Sequence, residues 1–575
     1  MRRILYALAL TAAGGCKCDD SPKPVDAGAP PPRAVVVTET EPNDELARGL
    51  VLRSDTSVDG NLGADVAKPD VDVFILEADD AVVELSVTSP RGGDVAIEFL
   101  DEGGHVIDAT NAEGLDATER YPNVRVVGRR AFRVTGAKKG AGGAYALNAK
   151  FLDAPVGFES EPNPRPVDAT RVGWGTAVSG YVASPTDVDV YRFEVPPVNA
   201  GESTEEAASP TDASTATVDA GATEARRLPL RLELTGIPGA VLAAKVLSEA
   251  EAVLFEAQSD EGQPLSLRNI AIRDVDRVFF VVVYSVPAKK GDRAAFSGSV
   301  YYTLTVGPEE EGVAAELEPN DDSERATPLT GASYREGFIS PRGDTDFFRI
   351  DVAEPSVAQF TLTGLDAVDL ELSLVRRDGG TEETVLRSNN GALKEPERLQ
   401  NVLCVDTCFL RVAAASRQVA GKWVRSDFNS EQTYRLSAEL SPAADAALEQ
   451  EPNNTSGQAS PLSVGQPLRG TVFPKKDVDW FRIDLTQKPV KTALRISATG
   501  VLKVDVVLSL HRLDEDGSLH LVQTSPNARG DATEVIRYSA EPAVYLLELK
   551  DAKSREANFQ DAYQVMVEEV SEPPQ

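Results

Sequence analysis

The string Glu-x-Glu-Pro-Asn recurs four times in this chain, and a fourfold repeat restricts the fold more than any other feature of the sequence. The copies are Glu39-Thr40-Glu41-Pro42-Asn43, Glu159-Ser160-Glu161-Pro162-Asn163, Glu316-Leu317-Glu318-Pro319-Asn320 and Glu449-Gln450-Glu451-Pro452-Asn453. A glycine follows the second Glu at +19 each time: Gly60, Gly180, Gly337 and Gly470. An Asp-x-Asp pair then leads an aromatic residue, at Asp70/Asp72, Asp187/Asp189, Asp344/Asp346 and Asp477/Asp479. The second Asp lies at +31 in the first copy and at +28 in the other three. Each copy closes on a run opened by a tyrosine, at Tyr145, Tyr302, Tyr434 and Tyr563.

Within the copies the apolar period is two. Phe74 and Leu76 share one face of a strand, as do Tyr191 with Phe193, Phe348 with Ile350, and Phe481 with Ile483. Arg192, Arg349 and Arg482 occupy the opposite face, the pattern of a half-buried strand. Short β-rich runs separated by Gly, Pro and Asp turns predict an all-β chain of four tandem antiparallel β-sandwich modules, jelly-roll-like. The expected boundaries are 35–153, 154–309, 312–441 and 445–571. Residues 199–226 of the second module hold no Ile, Leu, Phe, Tyr or Trp, and predict a disordered insert.

The Glu-Pro-Asn opening, the Asp-x-Asp-aromatic strand and the closing Tyr strand resemble bacterial pre-peptidase C-terminal (PPC) domains. They also resemble the related collagen-binding modules of clostridial collagenases. The resemblance covers about residues 38 to 571. Such domains usually trail a secreted peptidase, whereas here four stand without one.

In extended chain, residues i, i+2 and i+4 point the same way, so Glu39, Glu41 and Asn43 form a row of oxygen donors. If Asp70 and Asp72 fold against that row, the hard oxygens suit calcium rather than zinc or copper. The resemblance implies the same, since those relatives bind calcium through this opening and the Asp-containing start of the strand. Carried over by position, the ligand set is Glu39, Glu41, Asn43, Asp70 and Asp72 in the first copy. Its counterparts are Glu159, Glu161, Asn163, Asp187 and Asp189, then Glu316, Glu318, Asn320, Asp344 and Asp346, then Glu449, Glu451, Asn453, Asp477 and Asp479. The alternative is that Pro fixes the chain direction while Asn and Asp only cap turns.

The N-terminus predicts export. Arg2 and Arg3 precede an apolar run from Ile4 to Ala13, too short to span a bilayer, and Gly14-Gly15-Cys16 follows. Small residues before a cysteine resemble the lipobox of bacterial lipoproteins, which implies a signal peptide at 1–15 and a lipidated Cys16; an ordinary cleaved signal is the alternative. Lys17 after the cysteine leans, within that family, towards the outer membrane. Residues 16–34, rich in Pro, read as a disordered tether.

Cys404 and Cys408 flank a short turn sequence, Val405-Asp406-Thr407, and in an exported chain predict an in-hairpin disulfide; Cys18 has no assigned role. His105, His511 and His520 match no catalytic spacing and read as solvated turn residues; Trp174, Trp423 and Trp480 read as partial packing, with a sugar or protein contact as the alternative. The formal net charge of −33 argues against nucleic acid and against anionic lipid headgroups as partners of the folded body. The sequence therefore predicts a non-enzymatic, lipid-anchored envelope protein that displays binding modules for extracellular protein or polysaccharide. An inert structural spacer and an accessory subunit of a secreted peptidase are the alternatives.

Overall fold

The computed structural model describes residues 35–571 except 64–69, 138–141, 154–155, 197–226, 274–276, 310–314, 331–332, 391–392, 420, 425–426, 444–446 and 527–529. The signal and tether, with Cys16 and Cys18, and the insert 199–226 lie outside the described residues. The fold is all-β, and its helical content among the described residues is three short 3-10 turns, Leu46–Arg48, Pro166–Asp168 and Ser456–Gln458. No helix among them is long and apolar enough to cross a membrane.

Strands pair within each sequence repeat, and each repeat has its own core. The core residues run from Leu52 to Phe151, from Val172 to Val306, from Leu329 to Leu440, and from Leu462 to Val567. The aromatic after Asp-x-Asp is fully buried in every one: Phe74, Tyr191, Phe348 and Phe481. The alternation read from the sequence thus puts the aliphatic face inward, while Arg349 and Arg482 stay exposed and Arg192 is half-buried.

Units two, three and four each contain a five-stranded and a four-stranded sheet. In unit three the five-stranded sheet runs Thr327–Pro328, Thr345–Asp351, Thr407–Ala414, Leu370–Asp378, Thr381–Ser388. Its four-stranded sheet runs Tyr334–Ile339, Asn429–Pro442, Ser356–Leu362, Glu397–Cys404. Three features depart from the expected free-standing antiparallel sandwiches. First, a short strand after each opening pairs in parallel with the Asp-x-Asp strand, as in Leu50–Leu52 with Phe74–Leu76. Second, unit one is a single eight-stranded sheet, because Val71–Thr88 and Thr118–Gly136 run unbroken where the other units divide the corresponding strands between two sheets.

Third, the units are not separate. Each later opening forms a parallel bridge to the unit before it, at Val124↔Glu161, Ile270↔Glu318 and Val402↔Glu451. The same opening bridges to its own unit at Phe158↔Ser179, Ala315↔Glu336 and Leu448↔Arg469. Each of the three later openings therefore joins the four-stranded sheet of its unit to the unit before it. The result is nearer to a solenoid-like stack with one hydrogen-bonded face than to four discrete modules. The physical reason is that an unpaired sheet edge presents free N–H and C=O groups, which the next opening satisfies.

Candidate functional site

Each opening delivers two glutamates to the second Asp of its strand. Oxygen atoms of Glu39, Glu41 and Asp72 lie within 4.8 Å of one another, as do those of Glu159, Glu161 and Asp189. Glu316, Glu318 and Asp346, and Glu449, Glu451 and Asp479, repeat the arrangement. In the first unit a second group, Glu41, Asp44 and Asp70, adjoins it.

The first glutamate is held by the +19 region and by the closing tyrosine. Glu316 Oε1 accepts from Phe338 N at 2.7 Å, and its Oε2 accepts from the Tyr434 hydroxyl at 2.9 Å. Glu449 does the same with Thr471 N at 2.8 Å and the Tyr563 hydroxyl at 2.6 Å. Tyr434 also lies 2.6 Å from Asp346 Oδ2, Tyr563 2.8 Å from Asp479 Oδ2, and Tyr145 2.7 Å from Asp72 Oδ2. In unit two a Tyr replaces Phe on the strand, so Tyr191 contacts Glu159 at 2.8 Å and Tyr302, which itself reaches Asp189 at 2.6 Å. The +19 glycine is required by this packing. A Cβ on Gly337 or Gly470 would overlap the tyrosine hydroxyl and the first glutamate.

The second glutamate accepts from the Asn N–H two residues on, at 2.9 Å for Glu161 and Glu318 and 2.8 Å for Glu451. Its other oxygen is left without a partner while buried: Glu161 Oε1, Glu318 Oε1 and Glu451 Oε1. The Oδ1 atoms of Asp72, Asp189, Asp346 and Asp479 share that condition, as do Oδ1 of Asn43, Asn320 and Asn453. Buried acceptors without donors are costly, and converging ones are a ready set of hard ligands. The oxygen-only donor set fits a cation of the calcium class.

The two members of Asp-x-Asp do different things. Asp344 accepts from Ser340 N at 2.7 Å and Thr345 N at 2.9 Å, and Asp477 from Phe473 N at 2.8 Å and Val478 N at 3.0 Å. Asp70 accepts from Gly63 N at 2.5 Å, and Asp187 from Ala183 N at 2.5 Å. The first Asp thus caps the turn before its strand, while the second enters the three-carboxylate group. Of the sixteen carboxylates singled out in the sequence, Asp187, Asp344 and Asp477 are not among the close-set oxygens, and Asn163 Oδ1 accepts from Val190 N at 3.3 Å. The closing tyrosines are the site residues that sequence reasoning left as strand markers; their recurrence was the available signal.

Burial raises the pKa values of these carboxyls, and neighbouring carboxylates push Asp72 and Glu451 the same way. Asp72 and Glu451 are pushed up to about 8 and Glu316 to about 7. Glu159 rises to about 8 by burial, against the pull of Tyr181 N–H, the Tyr191 hydroxyl and the Asn123 amide. Glu161, Asp189, Glu318, Asp346 and Asp479 stand well above the carboxylate range for the same first reason. At neutral pH such a group of carboxyls holds protons or a cation.

The remaining residues do not assemble. His105 pairs with Asp101 at 3.2 Å and His520 with Asp514 at 2.8 Å, both exposed. His511 is on a strand rather than in a turn, half-buried against the Trp480 ring at 5.2 Å, and burial lowers its pKa. Trp174 packs edge-on to Phe279, and Trp423 lies on the strand Lys422–Val424.

No family model and no curated protein matches the chain. Among solved structures it is similar to the pre-peptidase C-terminal domain of a collagenase from Bacillus anthracis, at 16% identity and a TM-score of 0.16, over 19% of this chain and 93% of that one. It is also similar to a putative secreted protein from Eubacterium rectale, at 7% identity and a TM-score of 0.15, over 48% of this chain and 81% of that one. A third is the Bacteroides ovatus mixed-linkage glucan utilization locus SGBP-B, at 8% identity and a TM-score of 0.10, over 82% and 89% of the two chains.

Proposed function

We propose that the chain is a non-catalytic envelope lipoprotein, anchored through Cys16, that displays four calcium-stabilised PPC-like β-sandwich units to extracellular protein or polysaccharide. The observation that carries the ion reading is the fourfold set of buried carboxylate oxygens, several without a donor. Glu318, Asn320 and Asp346 would hold the ion in unit three, and it would supply positive charge to carboxyls that otherwise repel one another. Four similar surfaces in one array bind a repetitive polymer by avidity, so weak single contacts suffice. The backbone hydrogen bonds from unit to unit favour a second reading, a stiff spacer that carries something else outward.

The test has two arms. Millimolar calcium raises the melting temperature of the full chain and a chelator reverses it, with about 2.7 kcal/mol per site at a hundredfold excess over the dissociation constant. Magnesium does less, because it accepts fewer protein ligands. Glu318→Gln with Asp346→Asn removes one site's share of the shift. Identical melting in calcium and chelator refutes the ion reading. Pull-down on cell-surface polymers separates display from spacing, since a spacer retains none.

A further inference from the structure

The carboxylate clusters of units two, three and four lie at junctions, and the preceding unit closes each of them. Glu161 N donates to Asn123 O at 3.0 Å, and Arg125 N returns a bond to Glu161 O at 2.9 Å. Glu318 N donates to Asn269 O at 2.9 Å, answered by Ala271 N to Glu318 O at 2.8 Å. Glu451 N donates to Asn401 O and Leu403 N to Glu451 O, both at 2.8 Å. The residue that receives the second glutamate is an asparagine each time, with left-handed backbone: φ is +56° at Asn123, +54° at Asn269 and +53° at Asn401. Each sits at a register shift in its strand, where an extra residue bulges out of the ladder. Asn tolerates that conformation better than other side chains bearing a Cβ.

The asparagine side chains turn into the clusters. Asn401 Nδ2 donates to Glu449 Oε1 at 2.9 Å, and Asn269 Nδ2 reaches Glu316 Oε1 at 3.5 Å. Asn123 is buried beside Glu159, and at that first junction the Tyr121 hydroxyl adds a bond to Glu161 at 3.3 Å and a contact with Asp108. Two contrasts single these positions out. In the first unit no described unit precedes the opening, and Glu41 is exposed, where Glu161, Glu318 and Glu451 are buried. In the fourth unit the corresponding strand, Glu534–Ala540, pairs with Thr492–Ala498 without a register shift and carries no asparagine.

We propose that Asn123, Asn269 and Asn401 make the later three clusters interfacial divalent-cation sites, each shared between consecutive units, so that calcium occupancy and junction stiffness form one equilibrium. This rests on the calcium reading above. Linkage makes the coupling reciprocal: whatever factor docking adds to ion affinity, the ion adds to docking. The first cluster, uncovered, behaves as an independent and weaker site.

The experiment uses the full chain, with calcium as the probe. Calcium titration by calorimetry gives three sites tighter than a fourth. Hydrogen–deuterium exchange, followed on peptides containing Arg125, Ala271 and Leu403, slows tenfold or more when calcium replaces chelator. Asn269→Gly keeps the left-handed backbone but removes the amide. It weakens one tight site about tenfold, the size expected for one hydrogen bond to a charged group. It also frees exchange at Ala271 while leaving Leu403 protected. Asn269→Asp, which keeps the backbone and adds a carboxylate, strengthens that site and loosens its junction in chelator. Four equivalent sites overturn the proposal, as does calcium protection confined to the opening segments with the junction peptides unchanged. In both those outcomes the calcium reading survives. Absence of any calcium binding removes both.

Discussion

At the residue scale, the cluster is decided by which oxygens have donors. In unit three, Glu316 is satisfied on both oxygens, while Glu318, Asn320 and Asp346 each keep one oxygen without a partner. The pH dependence follows from the raised pKa values. Glu316 at about 7, Glu159, Asp72 and Glu451 at about 8, and Glu161, Asp189, Glu318, Asp346 and Asp479, raised by burial, bind protons more tightly folded than unfolded. Their contribution is therefore fully present below the unfolded carboxylate range near pH 4, and is lost as pH rises through 7 to 8. In chelator, denaturant unfolding should show greater stability at pH 5 than at pH 8. In saturating calcium the ion replaces the protons, and the loss towards pH 8 should disappear. A chelator profile that rises across this range would contradict the assigned acidities.

At the scale of elements, one corner separates unit three from its neighbours. Cys404 and Cys408 are disulfide-bonded, but not across a paired hairpin. The strand Glu397–Cys404 belongs to the four-stranded sheet and Thr407–Ala414 to the five-stranded one, so the bond ties the turn by which the chain changes sheets. Unit one crosses the same corner within its unbroken strand Thr118–Gly136. The sequence separation of 4 closes a very small loop, so the entropic gain is about 2 kcal/mol. Replacing both cysteines with Ser should lower the stability of unit three by that amount or less in denaturant unfolding, and leave the calcium response intact. A loss much greater than this would mean that the buried sulfurs matter chiefly as packing.

At the scale of the whole molecule, the opening segments turn four cores into a one-dimensional array. Side-chain contacts reinforce the backbone bridges: Arg342 pairs with Asp260 at 2.6 Å between units three and two, and Arg398 lies over the Phe559 ring at 4.8 Å between three and four. In such an array stability is a sum of unit terms and nearest-neighbour terms. Differential scanning calorimetry should resolve separate transitions in chelator, merging and moving upward in calcium as the neighbour terms grow. Transitions that stay equally separated in both conditions would leave the units energetically independent.

The sequence by itself determined the repeat, the strand alternation and the composition of the clusters. Glu-x-Glu-Pro-Asn, the +19 glycine, the second Asp and the closing tyrosine are all legible at fixed spacing, because each acts within its own unit, where side-chain period and turn length constrain position. Only the tertiary structure decided that the first Asp caps a turn while the second enters the cluster, and that the tyrosine hydroxyl joins them. It alone placed the disulfide at a sheet change and Asn123, Asn269 and Asn401 beside another unit's glutamates. Those asparagines share only a short pattern, Tyr or Leu two residues before and Val or Ile just after, which names no partner, and a one-residue bulge leaves the apolar alternation around it readable as ordinary strand. What they do depends on an edge meeting its neighbour across the junction, a contact between parts of the chain that no periodicity within either part encodes.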